Sequence, residues 1–161
     1  MKSENPAKHF LIAFLVAVTI YVIAYGTIEH RRNRKGPWEV TFANSFSNMP
    51  AMLISQPSLG ITNVQIVFFG LPPLSNGPVR LRFDQPKPVP FDLPFGKCIF
   101  MDTTFLPGTI TFDAFGHQIE LLPRVLIIHG REQPWISGDV IMLGPMTRTT
   151  NFTPYSMPTP H

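Results

Sequence analysis

Charge is scarce in most of this sequence: of the 126 residues after Lys35 only fifteen are Asp, Glu, Lys or Arg, beside twelve phenylalanines and seventeen prolines. A free soluble domain carries about a quarter charged residues, so part of this surface is expected to lie against a protein or a membrane. Cysteine is rarer still. Cys98 stands alone, which excludes an intrachain disulfide, a Cys-x-x-Cys redox pair and a thiolate zinc cage; it reads as a small buried hydrophobe.

Catalytic signatures are also lacking. There is no Gly-x-Ser-x-Gly, no glycine-rich phosphate loop and no histidine pair at helical metal spacing. The five histidines (His9, His30, His117, His129 and His161) are scattered, and the aspartates are single residues at strand ends, where Asp caps turns. The least that could serve as a metal or acid/base site is His117 with His129 across neighbouring strands, Asp113 or Asp139 supplying a carboxylate. Since His117 falls in an expected turn, ordinary turn and strand-end roles are favoured. No cofactor and no metal are expected.

The one long hydrophobic run covers residues 10–28, FLIAFLVAVTIYVIAYGTI, nineteen residues without a charge. At ~1.5 Å per residue a helix of this length covers ~28 Å, close to the ~30 Å hydrocarbon core of a bilayer. The expectation is a membrane anchor carried by Phe10, Leu11, Ile12, Leu15 and Ile28, with Tyr21 and Tyr25 toward the headgroups. A cleavable signal peptide has a shorter apolar core and a small-x-small site; here Glu29-His30-Arg31-Arg32 follows instead.

The net charge of +3 belongs to the flanks of that run. Residues 1–35 hold six basic and two acidic side chains, the remainder seven basic and eight acidic, so no basic patch for nucleic acid is expected. Arg31, Arg32, Arg34 and Lys35 after the run outnumber Lys2 and Lys8 before it. By the positive-inside rule the C-terminal domain faces the cytoplasm, though the margin is small and the side stays open. The same four residues would meet lipid headgroups.

Gly36-Pro37 ends any continuing helix. Thereafter short apolar runs alternate with proline and glycine, and the cleanest, residues 79–84, sets Val79, Leu81 and Phe83 against Arg80, Arg82 and Asp84. Further strands are expected at 38–43, 51–55, 61–69, 97–102, 109–113, 118–122, 124–129 and 139–143, with 130–137 as a polar loop. The fold class is thus mainly β: a single N-terminal transmembrane helix followed by a β-sandwich or small barrel of about eight short strands. The domain plan is 1–35 for tail, anchor and basic run, 36–145 for the β domain, and 146–161 for a Pro/Thr-rich tail. Residues 86–95 alternate with proline and read as an extended crossing loop, in which Phe91 and Phe95 are candidate partner contacts.

A hydrophobic helix ahead of a β domain is also the layout of pilin-like proteins, but their processing motif and in-helix glutamate have no counterpart here, so no family is assigned. The leading expectation is a non-enzymatic accessory or interaction subunit whose partners are the lipid bilayer and other membrane-protein subunits. A membrane-tethered ligand-binding or sensing module is the alternative, favoured if Trp38 or Trp135 lines a concave site. An anchored hydrolase or metalloenzyme ranks last.

Overall fold

The computed structural model describes residues 6–146; residues 1–5 and nearly all of the expected 146–161 tail, His161 included, lie outside them. The apolar run forms one helix, α1 (Pro6–Asn33), of 28 residues, none of them buried, with a mean hydropathy of 2.3 over its most apolar stretch. It is long and apolar enough to cross a membrane. Its last turn outlasts the apolar run because Glu29 binds the Arg32 guanidinium through both carboxylate oxygens, at 3.0 and 3.1 Å, and accepts from the Asn33 amide at 2.7 Å. Gly36, at φ +71°, then closes it, its N–H donating to Asn33 O at 3.0 Å.

Eleven strands follow among the described residues, rather than about eight. The first sheet joins β1 (Trp38–Asn44), β2 (Pro50–Gln56), β3 (Ile61–Phe68), β4 (Val79–Phe83) and β11 (Val140–Leu143) in the order β11-β3-β2-β1-β4. The second joins β5 (Phe91–Leu93), β6 (Gly96–Asp102), β7 (Thr109–Ala114), β8 (His117–Leu121), β9 (Leu126–Ile128) and β10 (Arg131–Gln133) in the order β10-β9-β8-β7-β6-β5. Every pairing is antiparallel except that of β11 with β3. Two of the added strands correct loop assignments. Both β5 and β10 are three residues long and lie at sheet edges, where a strand needs a ladder on one side only; the prolines flanking β5 therefore interrupt no pairing.

The sheets face each other across one core. Trp38, Val40 and Phe42 point inward from β1 while Glu39, Thr41 and Ala43 face out, the alternation read from the sequence. Across the sandwich Phe42 meets Phe95 and Phe112 edge-on, at ring separations of 5.5 and 6.4 Å. Cys98 is fully buried in this core.

Strand ends sort into two poles. Trp38, Gln56, Asp102, Thr109, Leu121 and Leu126 lie at the pole next to α1; Asn44, Pro50, Phe68, Ala114, His117, Ile128 and Leu143 lie at the far pole. The near pole grips the helix exit. Gln56 is buried, and its Nε2 sits 2.9, 2.8 and 3.1 Å from the carbonyls of Lys35, Gly36 and Pro37, while its Oε1 accepts from Ser58 N. Leu106 N–H donates to Arg32 O at 2.8 Å, satisfying a carbonyl in the last turn that the helix itself leaves unpaired. The joint between α1 and the sandwich is therefore hydrogen-bonded on two sides.

Candidate functional site

All seven residues expected to form an anchor (Phe10, Leu11, Ile12, Leu15, Tyr21, Tyr25 and Ile28) are exposed along α1, each with at least half its surface uncovered by the protein. The helix has no single apolar stripe to press against a partner helix of its own chain; it is apolar all round. Its two threonines within that run bond back to the preceding turn, Thr19 Oγ1 to Leu15 O and Thr27 Oγ1 to Ile23 O, both at 2.8 Å. Of the basic run, Arg31, Arg34 and Lys35 are exposed and Arg32 is held by Glu29.

The two phenylalanines singled out as contacts part company. Phe91 lies half-buried on the edge strand β5, with Lys87 Nζ 5.6 Å from its ring centroid. Phe95 is a correction: it is 6% exposed and cannot project to a partner. It occupies the two-residue turn between β5 and β6, and its carbonyl accepts from Phe115 N at 3.1 Å. Its ring turns inward among Phe42, Phe68 and Phe115, at 5.5, 6.0 and 5.4 Å. The tryptophans offer no concave site either. Trp38 is fully buried, its ring tilted against Trp135 at 5.2 Å, and their indole N–H groups donate to Gly108 O and Leu122 O.

The far pole brings His117 and His129 together, which the sequence left open. Residues 115–116 and 129–130 are two-residue hairpin turns with both φ values positive, at Phe115-Gly116 and His129-Gly130. The glycines suit that geometry; Phe115 and His129, both at φ +53°, hold it at a cost of about 1–2 kcal/mol each. Their reward is placement. Phe115 packs under Phe68 at 5.2 Å, and His129 Nε2 reaches His117 Nδ1 at 2.7 Å.

The proton positions follow from the partners. His117 Nε2 faces Gly144 O at 2.8 Å, an atom that only accepts, so Nε2 carries a proton. Neutral His117 then presents a bare Nδ1, and His129 Nε2–H donates to it. One added proton can be shared along this contact; two would set N–H against N–H. No group of three or more metal-ligating side chains occurs among the described residues, and Asp113 Oδ1 is engaged with Gly116 N. Through His129 and Gly144 O, His117 fastens β8 to the β9–β10 turn and to the segment that leaves β11, a histidine tie.

Burial holds the His117 imidazole below the ordinary histidine value of 6.5, outweighing the help of Gly144 O; the His129 charge lowers it further, while Asp113 pulls the other way. A depressed folded value means the unfolded chain binds the proton more readily. This stability is complete above 6.5 and is lost as pH falls through the folded value. The thermal midpoint is therefore expected to drop between about pH 7 and about pH 5, and His117→Gln to flatten that slope. Calorimetry over the range decides it; an unchanged slope in the variant would remove the histidine tie from the account.

Sequence reasoning missed the rings that stay outside. Phe46 stands fully exposed in the β1–β2 turn at the far pole, and Phe100 and Phe105, at 49% and 61%, are exposed near the helix. On the outer face of the first sheet Ala43, Ala51, Val67 and Met142 line up in one register row, beside Val140 on the same edge strand. A phenylalanine set between serines at 45–47 was the available signal for the first. The row depends on the β3–β11 pairing, which no local pattern encodes. Comparison with protein-family models, with curated proteins and with solved structures finds no match to this chain.

Proposed function

We propose that this chain is a single-pass, membrane-anchored, non-enzymatic interaction subunit of a larger membrane assembly. The observation that carries the reading is α1, apolar on every side, covered by nothing among the described residues and hydrogen-bonded at its exit to the sandwich. Water would have to solvate that whole surface, whereas hydrocarbon would not. The back-bonded threonines suit the same setting, since lipid supplies no hydrogen-bond partner.

The sandwich then serves as a contact module. Its charge is sparse, and Val140 and Met142 are about half exposed on β11, the edge strand of the first sheet, next to the buried Val67 and Ala51 of the same register row. An exposed apolar edge strand suits protein contact, through strand pairing or side-chain packing. The excess of Arg31, Arg32, Arg34 and Lys35 favours the cytoplasmic side for the domain.

Extraction in mild detergent, followed by mass measurement of the purified particle, tests the subunit reading. Other integral membrane chains are expected to accompany the protein. Val140→Lys with Met142→Lys should weaken that association by about tenfold or more, whereas His117→Gln with His129→Gln should leave it intact. A monomer of the chain's own mass, or loss of association only in the histidine variant, would sink the reading.

A further inference from the structure

The near pole carries apolar side chains that the core does not use, and their height along α1 can be measured. The apolar run ends at Ile28, and Arg32 lies four residues on, about 6 Å further along the axis at 1.5 Å per residue. Leu106 N–H is bonded to Arg32 O. The loop 103–108 is therefore fixed, through that bond, at the level of the basic run.

Within this loop one large side chain is turned out. Thr103, Leu106 and Pro107 are buried, and Asp102 Oδ1 accepts from Thr104 N at 2.9 Å, which stiffens the entry. Gly108, at φ +70°, fixes the other end; a Cβ there would fall 1.9 Å from Asp102 O. Phe105 alone among the loop's hydrophobic residues is exposed, at 61%. Beside it, the register shift between Cys98 and Phe100 leaves Ile99 and Phe100 both outside. A hollow of about 580 Å³ lies between Phe100 and Arg32.

Resting on the spanning reading of α1, we infer that Phe105 and its loop form a second membrane contact, seated in the headgroup region of the leaflet from which the helix emerges. The partner is the lipid surface itself, and two independent features argue for it. The first is the level set by the Leu106–Arg32 bond, since a ring held that close to the end of a spanning helix has the bilayer interface within reach. The second is charge. Exposed Arg31, Arg34, Lys35 and, from the β8–β9 turn, Arg124 share this pole with Arg32, against Asp84, Asp102, Asp139 and the Arg32-bound Glu29. That balance suits anionic headgroups.

With the clamp of Gln56 on residues 35–37, such a seat would leave the sandwich one standing orientation on the membrane and present the far pole and the β11 edge to partners.

Depth-dependent quenching tests this on the full-length chain. Phe105→Cys, Phe46→Cys and Val18→Cys would each be labelled with a small fluorophore and reconstituted in vesicles of phosphatidylcholine and phosphatidylglycerol carrying nitroxide lipids. Cys98 stays out of the reaction, since it is buried and burial pushes its thiol up to about 11. A nitroxide near the headgroups should quench the label at 105 about threefold more than the label at 46, and a nitroxide deep in the acyl chains should quench the label at 18. Equal quenching at 105 and 46, with 18 still quenched, overturns the loop contact and leaves the spanning helix standing. An unquenched label at 18 brings down both.

Discussion

Phe95→Ser is expected to unfold most of the sandwich, and Phe91→Ser to leave it folded. The two rings stand four residues apart in the same proline-spaced stretch, so composition gives no ground for separating them. Their surroundings do. Phe95 fills the space between Phe42, Phe68 and Phe115, linking both sheets at the far pole. Removing a buried phenylalanine ring costs about 3–5 kcal/mol in lost transfer energy and cavity. The serine hydroxyl would add a buried polar group with no assured partner. Against a typical total of 5–15 kcal/mol this is a large share. Phe91 is half-buried on an edge strand, where truncation costs on the order of 1 kcal/mol. Urea unfolding followed by tryptophan fluorescence, which reports the core pair Trp38 and Trp135, measures both. Equal midpoints for the two variants would contradict the placement of Phe95.

The same contrast shows what was legible in the sequence. Strands β1 and β4 announce themselves because apolar and polar residues alternate over five or more positions, and that pattern is itself the consequence of one face meeting a core. Strands β5 and β10 do not, being too short for a period to register and set at edges where proline is tolerated. The end of α1 is legible in Gly36-Pro37, but its clamp is not: nothing local marks Gln56 as the side chain that will collect three carbonyls from twenty residues upstream. A buried polar residue is visible only once its burial is known.

The histidine pair is a case of long-range assembly. His117 and His129 come together because two hairpin turns of the same geometry sit side by side, and because β11 returns parallel to β3 and delivers Gly144 O to the far pole. Sequence spacing alone left that meeting undecided. The proline-spaced stretch, in contrast, offered Phe91 and Phe95 as outward rings, whereas Phe46, Phe100 and Phe105 are outside and Phe95 is inside. Turn residues and bulges decide such matters, since one register shift changes which face a side chain takes.

The largest effect of all is expected from charging the middle of α1. The eleven Leu, Ile, Val and Phe side chains between residues 10 and 28 favour insertion by about 3–7 kcal/mol together on membrane-insertion scales. Val18→Arg with Val22→Arg would oppose this by about 5–7 kcal/mol at the centre of the span. Neither side chain contributes to the sandwich, so the domain should fold unchanged. The measurement that tests the anchoring most directly is alkaline carbonate extraction of full-length protein from membranes, scored beside this variant. The account expects the native chain to stay with the membrane pellet through carbonate and high salt, and the double arginine chain to pass to the supernatant. Native chain released by carbonate would contradict it.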